Sequence, residues 1–401
     1  MFKDAAEKYY QEMKAIREDI HRHPELSYNE ERTSTLVMKK LREYGVDSVE
    51  RTWKTGLVAL IKGGKGEGKC IAIRADMDAL PVTEETGADF SSENPGVMHA
   101  CGHDMHVTIL LTAARILCEN RDKFPGTVKL IFQPAEESAN PSDTTGGAMH
   151  MVEYGCMENP HVDAIIGLHM SPAKPEDSGR FGLKKGVISS GFDIYRFDVH
   201  GKTAHGSQPQ NGSDAILALS QLIVLLQQVV SRNTDPLKTA ILSVGTISGG
   251  SRVNIIPDYA TAGGCFRYYD NETAKVIREH TVAIGKGVET LSGCKVDVIA
   301  MPGYACVEND DALVDLADAA LTEAMGDKAV MHMDEPSSGS EDFSYYGLST
   351  GTPMAFMWLN CEQYTGEEIY PLHSSKCIFK PDAIKTGADG LASIAVKFLN
   401  I

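Results

Sequence analysis

The chain has 401 residues, of which 42 % are hydrophobic and 23 % are charged, and its formal net charge is −17. This length exceeds the size at which one hydrophobic core usually stops growing, so we expect two domains. The acidic balance argues against nucleic acids and anionic membranes as partners. Nine cysteines without a regular spacing indicate a reducing compartment, which we interpret as the cytoplasm.

The first half of the chain alternates helix and strand patterns. Periodic apolar residues predict helices over residues 4–22, 29–44, 107–117 and 148–154. Short apolar runs predict strands over residues 57–61, 70–74, 128–132 and 164–168. Strands separated by helices favour a mostly parallel sheet with helices on both faces.

From about residue 190 the pattern changes. Strands are predicted over 193–200, 239–246, 258–269 and 295–300, and helices over 213–230 and 273–291. The order β-α-β-β-α-β is that of the split βαβ, ferredoxin-like arrangement. Afterwards the α/β pattern resumes, with helices over 312–325 and 385–399 and a strand over 354–359. We therefore predict an α/β domain from residues 1–190 and 301–401, interrupted by an inserted α+β domain from residues 191–300.

Side chains of the kinds that bind metal ions flank the predicted strands of the larger domain. One thiolate, two carboxylates and three imidazoles are offered by Cys101, His103, Glu136, Glu137, His169 and His373. Because functional groups gather beyond the carboxyl ends of parallel strands, we expect these side chains to converge. Asp76, just after the strand 70–74, is a candidate for orienting a ligand imidazole.

The candidate ligands exceed the capacity of one tetrahedral site. Thiolate and imidazole favour zinc, cobalt or nickel, and a carboxylate adds tolerance for manganese. A Cys101 sulfur shared between two ions would resolve the count, with His103 and Glu137 on one ion and His169 and His373 on the other. Two ions can activate a water and polarise a carbonyl, and Glu136 would then accept the proton of the water.

Each candidate ligand has a simpler interpretation when it is considered alone. Buried cysteines are common, adjacent glutamates are usually a solvated pair, and a histidine after an apolar strand is often a core residue. The metal interpretation rests on their joint occurrence at the predicted sheet edge. The other histidines are interpreted as structural or surface residues. Among them His106, three residues after His103, is the strongest further candidate.

A series of longer motifs covers nearly the whole chain. The motifs occupy residues 23–26, 74–81, 99–104, 133–137, 167–169, 204–206, 254–257, 339–343 and 372–374. In their order and in their residues, these motifs resemble those of a family of metal-dependent amidohydrolases and peptidases. This family includes aminoacylase, hippurate hydrolase, auxin-conjugate (IAA-amino acid) hydrolase and N-acetyldiaminopimelate deacetylase.

The resemblance implies a catalytic domain that binds two divalent ions, zinc or manganese, with cobalt and nickel as further options. The positions that match the metal ligands of this family are Cys101, His103, Glu137, His169 and His373. The same comparison makes Glu136 the general base and His205, in the inserted domain, a residue that helps to hold the substrate carbonyl. Arg252 and Asn254 match a region near the carboxylate end of the substrate. The inserted domain is expected to act in dimerisation or higher homo-oligomerisation and as a lid.

The expected reaction is hydrolysis of the amide bond of an N-acyl amino acid, or of a similar amino-acid conjugate, to a carboxylate and a free amino acid. A dipeptidase or carboxypeptidase with the same two-metal chemistry is the alternative within enzymes. A catalytically silent binding protein is a third possibility, which the intact Glu136 and the five intact ligand positions disfavour. One departure from the family pattern is an insertion at residues 138–145, which we expect to reshape the substrate pocket.

Overall fold

The structure is a computed structural model that describes residues 2–137, 146–366 and 368–401. The predicted insertion at residues 138–145 lies outside the described residues. The helices of the described residues are α1 (Tyr10–Arg22), α2 (Glu31–Tyr44), α3 (His103–Glu119), α4 (Gly146–Glu153), α5 (Ala215–Gln228), α6 (Asn271–Ser292), α7 (Asp311–Met325), α8 (Ser344–Thr350) and α9 (Ala383–Leu399).

The strands of the described residues are β1 (Ser48–Arg51), β2 (Leu57–Lys62), β3 (Cys70–Asp76), β4 (Thr127–Gln133), β5 (Ala164–Ala173), β6 (Phe181–Leu183), β7 (Gly186–Ser189), β8 (Gly191–His200), β9 (Ala204–His205), β10 (Ala240–Gly249), β11 (Ile255–Ile256), β12 (Tyr259–Tyr268), β13 (Lys295–Pro302), β14 (Val307–Asn309), β15 (Val330–His332) and β16 (Met354–Glu362).

The chain forms two compact units. The first unit comprises Met1–Ile188, Glu308–Glu335 and Asp342–Ile401, and the second comprises Ser189–Val307 and Pro336–Glu341. The first unit contains a sheet in the order β1-β2-β4-β3-β5-β16-β6-β15. Its central strands β4, β3, β5 and β16 are parallel to one another, whereas β1, β2 and β6 run antiparallel to a neighbour. The predicted α/β fold with a mostly parallel sheet is confirmed.

The apolar composition of the central strands explains their position. Every residue of β3 is buried, as expected for a parallel strand that is covered on both faces. Helix α3 is buried along most of its length and contacts both β3 and α9. The short strands β1, β6 and β15 were not predicted, because runs of three or four residues carry too little periodicity to be recognised.

The strand that carries His169 is longer than predicted. β5 extends to Ala173, so His169 lies within the strand and not after its end. β3 pairs with β5 only as far as Gly167, whereas β16 continues beside β5 to Ala173. His169 therefore lies at the point where one edge of β5 has lost its neighbour and the sheet opens.

The second unit contains an antiparallel sheet in the order β10-β12-β8-β13. With α5 and α6 it follows the β-α-β-β-α-β order of the predicted ferredoxin-like arrangement. Residues 215–233, which include α5, are long and apolar enough by length and composition to cross a membrane. One face of α5 is nevertheless buried and contacts β8, β12 and α6, which is typical of a helix that packs on a sheet.

A buried carboxyl group connects the N-terminal segment to α9 in the first unit. Asp389 is 4 % exposed, and its Oδ1 accepts a hydrogen bond from the backbone N–H of Ala6 at 2.9 Å. Burial raises the pKa of Asp389 from 3.8 to about 7. Between these values the unfolded chain has released the proton that the folded chain retains, so stability is lost as the pH rises from about 4 to about 7.

We expect Asp389→Asn to remove this loss. At pH 8 its Tm should exceed that of the wild type by about 2 °C, the shift that ~1 kcal/mol produces in a chain of this size. Thermal unfolding between pH 4 and pH 8 measures the effect. Asp382→Asn, at an exposed position at the start of the same helix, is the control and should leave the pH dependence unchanged. If the Tm of Asp389→Asn falls with rising pH as steeply as that of the wild type, the prediction is wrong.

Candidate metal centre and general base

Gly102 sets the geometry of the first two candidate ligands. It precedes the first residue of α3, His103, and has a φ of 93° in the left-handed region. A Cβ atom at Gly102 would lie 2.8 Å from the ring of Phe379. Glycine is therefore required here by both conformation and space, and the turn holds Cys101 and His103 on either side of it.

His103 presents an uncommitted nitrogen to the centre. Its Nδ1 lies 3.2 Å from Asp78 Oδ1, so Nδ1 carries a proton and Nε2 is the nitrogen that can bind a metal ion in the neutral ring. Nε2 is buried and has no hydrogen-bond partner among the described residues. Burial lowers the pKa of His103, but the carboxylates of Asp76 and Asp78 outweigh it and raise the pKa to about 10. The surrounding carboxylates thus favour a positive charge at this position, which a metal ion would supply.

His169 is held in a similar way. Its Nδ1–H donates to the backbone carbonyl of Met170 at 2.8 Å, and its Nε2 lies 3.3 Å from Cys101 Sγ. Burial and the neighbouring His106 lower the pKa of His169 well below 6.5. The ring is therefore neutral, and neutral imidazole is the form that binds metal.

Cys101 also contacts the ligands that lie far from it in the sequence. Its Sγ lies 3.3 Å from His373 Nε2, which in turn lies 3.0 Å from Glu137 Oε1. His373 has a φ of 69°, and its backbone N–H donates to Ala100 at 2.9 Å. A non-glycine residue in the left-handed region is unfavourable, so the loop of His373 is held in place by its surroundings.

The five predicted ligand side chains therefore come together. Their ligand atoms fall into overlapping groups, each within 4.8 Å: Cys101 with His103 and His169, Cys101 with Glu137 and His373, and His103 with Glu137 and Glu136. The sequence-based division placed His103 with Glu137 and His169 with His373. The group that joins His103 and Glu137 is compatible with the first of these pairs. The shared position of Cys101 agrees with the expectation.

The donor set fits two divalent ions. Burial and the carboxylates of Glu137 and Glu136 raise the pKa of the Cys101 thiol well above 9.0. A thiolate at this position consequently requires nearby positive charge. Thiolate, imidazole and carboxylate donors around an unsatisfied imidazole nitrogen are the ligands of zinc and related divalent ions.

The structure assigns the orienting role to Asp78 and not to Asp76. Asp76 Oδ1 accepts a hydrogen bond from His106 Nδ1 at 2.5 Å, and Asp76 Oδ2 stays 3.8 Å from His103 Nε2. The backbone N–H of Met170 donates to His106 Nε2 at 2.9 Å. Both ring nitrogens of His106 are thus engaged, which excludes it as a metal ligand. Asp76 orients His106, and Asp78 orients His103.

Glu136 lies beside the ligand groups. It is 5 % exposed, and its Oε2 lies 4.0 Å from His103 Nε2. Ala135, directly before it, has a φ of 55° and is, after His373, the second non-glycine residue in the left-handed region beside the candidate ligands. Strained backbone of this kind is concentrated at functional sites.

The candidate substrate-binding residues lie in the second unit and are close to one another there. The pairing of β9 with β11 places His205 opposite Ile255, and Gly206 N–H donates to the carbonyl of Asn254 at 2.9 Å. The backbone N–H of Ile255 donates to the carbonyl of Arg252 at 3.3 Å. His205, Arg252 and Asn254 thus share one small loop cluster.

The tautomer of His205 follows from its neighbours. The backbone N–H of Ser207 donates to His205 Nδ1 at 3.2 Å, and the Ser207 hydroxyl lies 2.7 Å from the same nitrogen. Nδ1 is therefore an acceptor, and Nε2 carries the proton. His205 can donate a hydrogen bond through Nε2.

A buried charge network around Asp342 was not predicted. Arg74 Nη2 and Gln133 Nε2 each donate to Asp342 Oδ1 at 2.9 Å, and the backbone N–H of Ala148 donates to Asp342 Oδ2 at 2.9 Å. Arg74 also contacts Asp76 at 2.6 Å. The network connects β3, β4 and the start of α4. The only sequence signal for it was the motif at residues 339–343, whose partners cannot be identified from spacing.

The sequence profile described as "Peptidase family M20/M25/M40" matches residues 72–397. The chain belongs to this family. It is 38 % identical over 388 residues to a hippurate hydrolase of Campylobacter jejuni, with 97 % of each chain covered. It is also 38 % identical over 387 residues to thermostable carboxypeptidase 1 of Saccharolobus solfataricus, covering 96 % of this chain and 95 % of that one.

A solved structure of a Bacillus subtilis protein, described as a dinuclear metal-binding peptidase of family M20, has the same fold. It is 31 % identical, has a TM-score of 0.82 and covers 98 % of this chain and 99 % of its own. Membership in this family confirms the resemblance found in the sequence and the predicted class, a hydrolase that acts on amide bonds.

Proposed function

We propose that the protein is a two-metal amidohydrolase that releases a free amino acid and a carboxylate from N-acyl amino acids or related conjugates. The observation that carries the proposal is the shared position of Cys101, whose sulfur belongs to both ligand groups. The proposed ligands of the two ions are Cys101, His103, Glu137, His169 and His373, with the sulfur of Cys101 shared between the ions. Two divalent ions held there would polarise the scissile carbonyl and acidify a water.

Glu136 is the proposed general base. Its Oε2 lies 4.0 Å from His103 Nε2, and its carboxylate groups with the proposed ligands His103 and Glu137. It accepts the proton of the attacking water and delivers it to the nitrogen of the departing amine, so that the base of the first step is the acid of the second. Its burial excludes bulk water from this transfer.

His205 is the proposed donor to the substrate carbonyl oxygen as negative charge develops there. The proton on its Nε2 supports this role. Arg252 and Asn254, in the same loop cluster, are proposed to bind the carboxylate end of the substrate. We further propose zinc or manganese as the native metals, with cobalt or nickel as alternatives, and the cytoplasm as the compartment, which the nine unpaired cysteines support.

The second unit is proposed to act as a dimerisation and lid domain. The outer face of α5 exposes apolar side chains, with Leu217 56 % and Val224 71 % exposed. Apolar side chains on an outer helix face are typical of protein–protein interfaces. A homodimer or a higher homo-oligomer would cover this face.

A carboxypeptidase or dipeptidase is the second candidate function, because one relative of similar identity is named a carboxypeptidase. Both functions use the same proposed ligands and the same base. They differ in the group on the amino side of the scissile amide, which is an acyl group in one case and an aminoacyl group in the other.

Amino-acid release from a substrate panel tests the proposal. The panel contains N-acetyl, N-benzoyl and indole-acetyl amino acids together with dipeptides, and metal-stripped protein is reloaded with zinc, manganese, cobalt or nickel. We expect release from acyl conjugates that stops on metal removal and returns on reloading. Release from dipeptides alone would favour the peptidase, and no release with any metal would contradict both functions.

A further inference from the structure

Glu30 is a buried carboxylate outside the candidate ligand set. Its side chain is 0 % exposed. Oε1 accepts hydrogen bonds from the backbone N–H groups of Ala135 at 2.9 Å and Tyr28 at 3.0 Å, and Oε2 accepts one from the Thr55 hydroxyl at 2.6 Å. A buried carboxylate with this many donors is held in one position.

The residue that Glu30 binds is strained. Ala135 has a φ of 55°, which L-residues other than glycine rarely adopt. Its carbonyl accepts a hydrogen bond from Gly147 N–H at 2.9 Å. A Cβ atom on Gly147 would lie 1.7 Å from the carbonyl oxygen of Pro134, so only glycine permits this approach. Both backbone polar groups of Ala135 are therefore fixed by partners outside its own loop.

The backbone on the other side of Glu136 is fixed in the same manner. The N–H of Glu137 donates to Asp78 Oδ2 at 2.9 Å. Glu136 thus lies between two backbone N–H groups, each bound by a buried carboxylate. Asp78 also contacts the candidate ligand His103, whereas Glu30 accepts hydrogen bonds from Ala135, Tyr28 and Thr55.

We infer that Glu30 is a positioning residue for Glu136. By binding the N–H of Ala135 it stabilises the left-handed conformation that directs the Glu136 carboxylate toward the ligand groups. The inference rests on the proposed role of Glu136 as the general base. It goes beyond that role because it assigns a function to Glu30, which lies 105 positions before Ala135 and acts through the backbone of that residue.

The first test compares Glu30→Met with Glu30→Gln. Methionine has a similar volume but accepts no hydrogen bond from Ala135. Glutamine retains one oxygen for the two N–H groups, and its amide can donate to Thr55. We expect Glu30→Met to lower kcat by about 10- to 100-fold, the cost typical of a misplacement near 1 Å, and Glu30→Gln to stay within about threefold of the wild type. KM and the metal content should change little in both variants.

A second readout does not depend on activity. In hydrogen–deuterium exchange of the metal-free protein, the peptide that contains Ala135 should exchange faster in Glu30→Met than in the wild type and Glu30→Gln. Asp389→Leu is the matched control, because it also replaces a buried carboxylate that accepts a backbone N–H. It should lose thermal stability while kcat and exchange around Ala135 remain unchanged.

Ala135→Gly supplies the decisive comparison. Glycine adopts positive φ without support, so the loss of kcat caused by Glu30→Met should shrink by at least about threefold in the Ala135→Gly background. If Glu30→Met does not fold, Thr55→Val is the substitute, because it removes the hydrogen bond from the Thr55 hydroxyl to Glu30. It should also lower kcat, by a smaller factor than is expected for Glu30→Met.

The outcomes separate this inference from the proposed function. An active wild type in which Glu30→Met retains full kcat, or loses kcat equally with and without Ala135→Gly, would overturn the positioning role alone. A wild type without metal-dependent amide hydrolysis would overturn the proposed function. The exchange measurement reports on Glu30 in either case.

Discussion

Glu136→Gln is expected to lower kcat by about 10²- to 10⁴-fold, the range typical of a lost general acid–base group. The substitution keeps the volume of the side chain but removes its ability to accept a proton from the attacking water. Because Glu136 is not one of the five proposed ligands and glutamine has the same size, the ligand groups should persist. The metal content should therefore stay at the wild-type value, and KM should change by no more than about threefold.

Glu137→Gln is the matched comparison for this prediction. The two residues are adjacent, but Glu137 Oε1 lies 3.0 Å from His373 Nε2 within a ligand group. Its replacement should lower the metal content as well as kcat, and added metal should restore part of the activity. Steady-state kinetics and elemental analysis at several metal concentrations measure both effects. If the two variants behave alike, or if Glu136→Gln retains activity, the assignment of the general base is wrong.

Cys101→Ala is expected to remove both ions and to lower activity more than a hundredfold, which exceeds the ~10- to 100-fold cost of losing a residue that only orients a ligand. The sulfur belongs to both ligand groups, so its loss leaves each of them without a shared donor. It also removes the negative charge that offsets a second cation. Elemental analysis should give fewer than one ion per chain at metal concentrations that saturate the wild type.

Cys70→Ala is the control, because Cys70 is likewise a buried cysteine of the first unit but lies at the start of β3. It should keep full metal content and activity. Full metal content in Cys101→Ala would contradict the shared-ligand arrangement. Loss of one ion with the other retained would show that the sulfur serves a single ion.

The left-handed residues around the centre share a physical explanation. Gly102, Ala135 and His373 have φ values of 93°, 55° and 69°, and each lies in or beside a loop that carries candidate ligands or the base. Such conformations reverse the chain abruptly and allow side chains from separate loops to meet at one point. They persist because buried groups such as Glu30 and the carbonyl of Ala100 bind the strained segments.

The architecture and the types of ligand side chain can be predicted from local features of the sequence. Apolar runs separated by helical periodicity are local signals, so the α/β fold and the β-α-β-β-α-β order of the second unit could be predicted. The ligand types and the adjacent glutamates are likewise visible without a structure, because thiolate, imidazole and carboxylate have intrinsic metal affinities. Their positions near strand ends then indicated convergence.

Which of these groups contact one another becomes visible in the folded chain alone. Asp76 and Asp78 are two residues apart, yet one orients His106 and the other His103. The grouping of Glu137 with His373, and the bond between Arg74 and Asp342, join residues more than two hundred positions apart. The physical reason is that a contact depends on distances of a few angstroms and on the direction of each side chain. Left-handed turns and buried hydrogen bonds set both of these only in the folded chain.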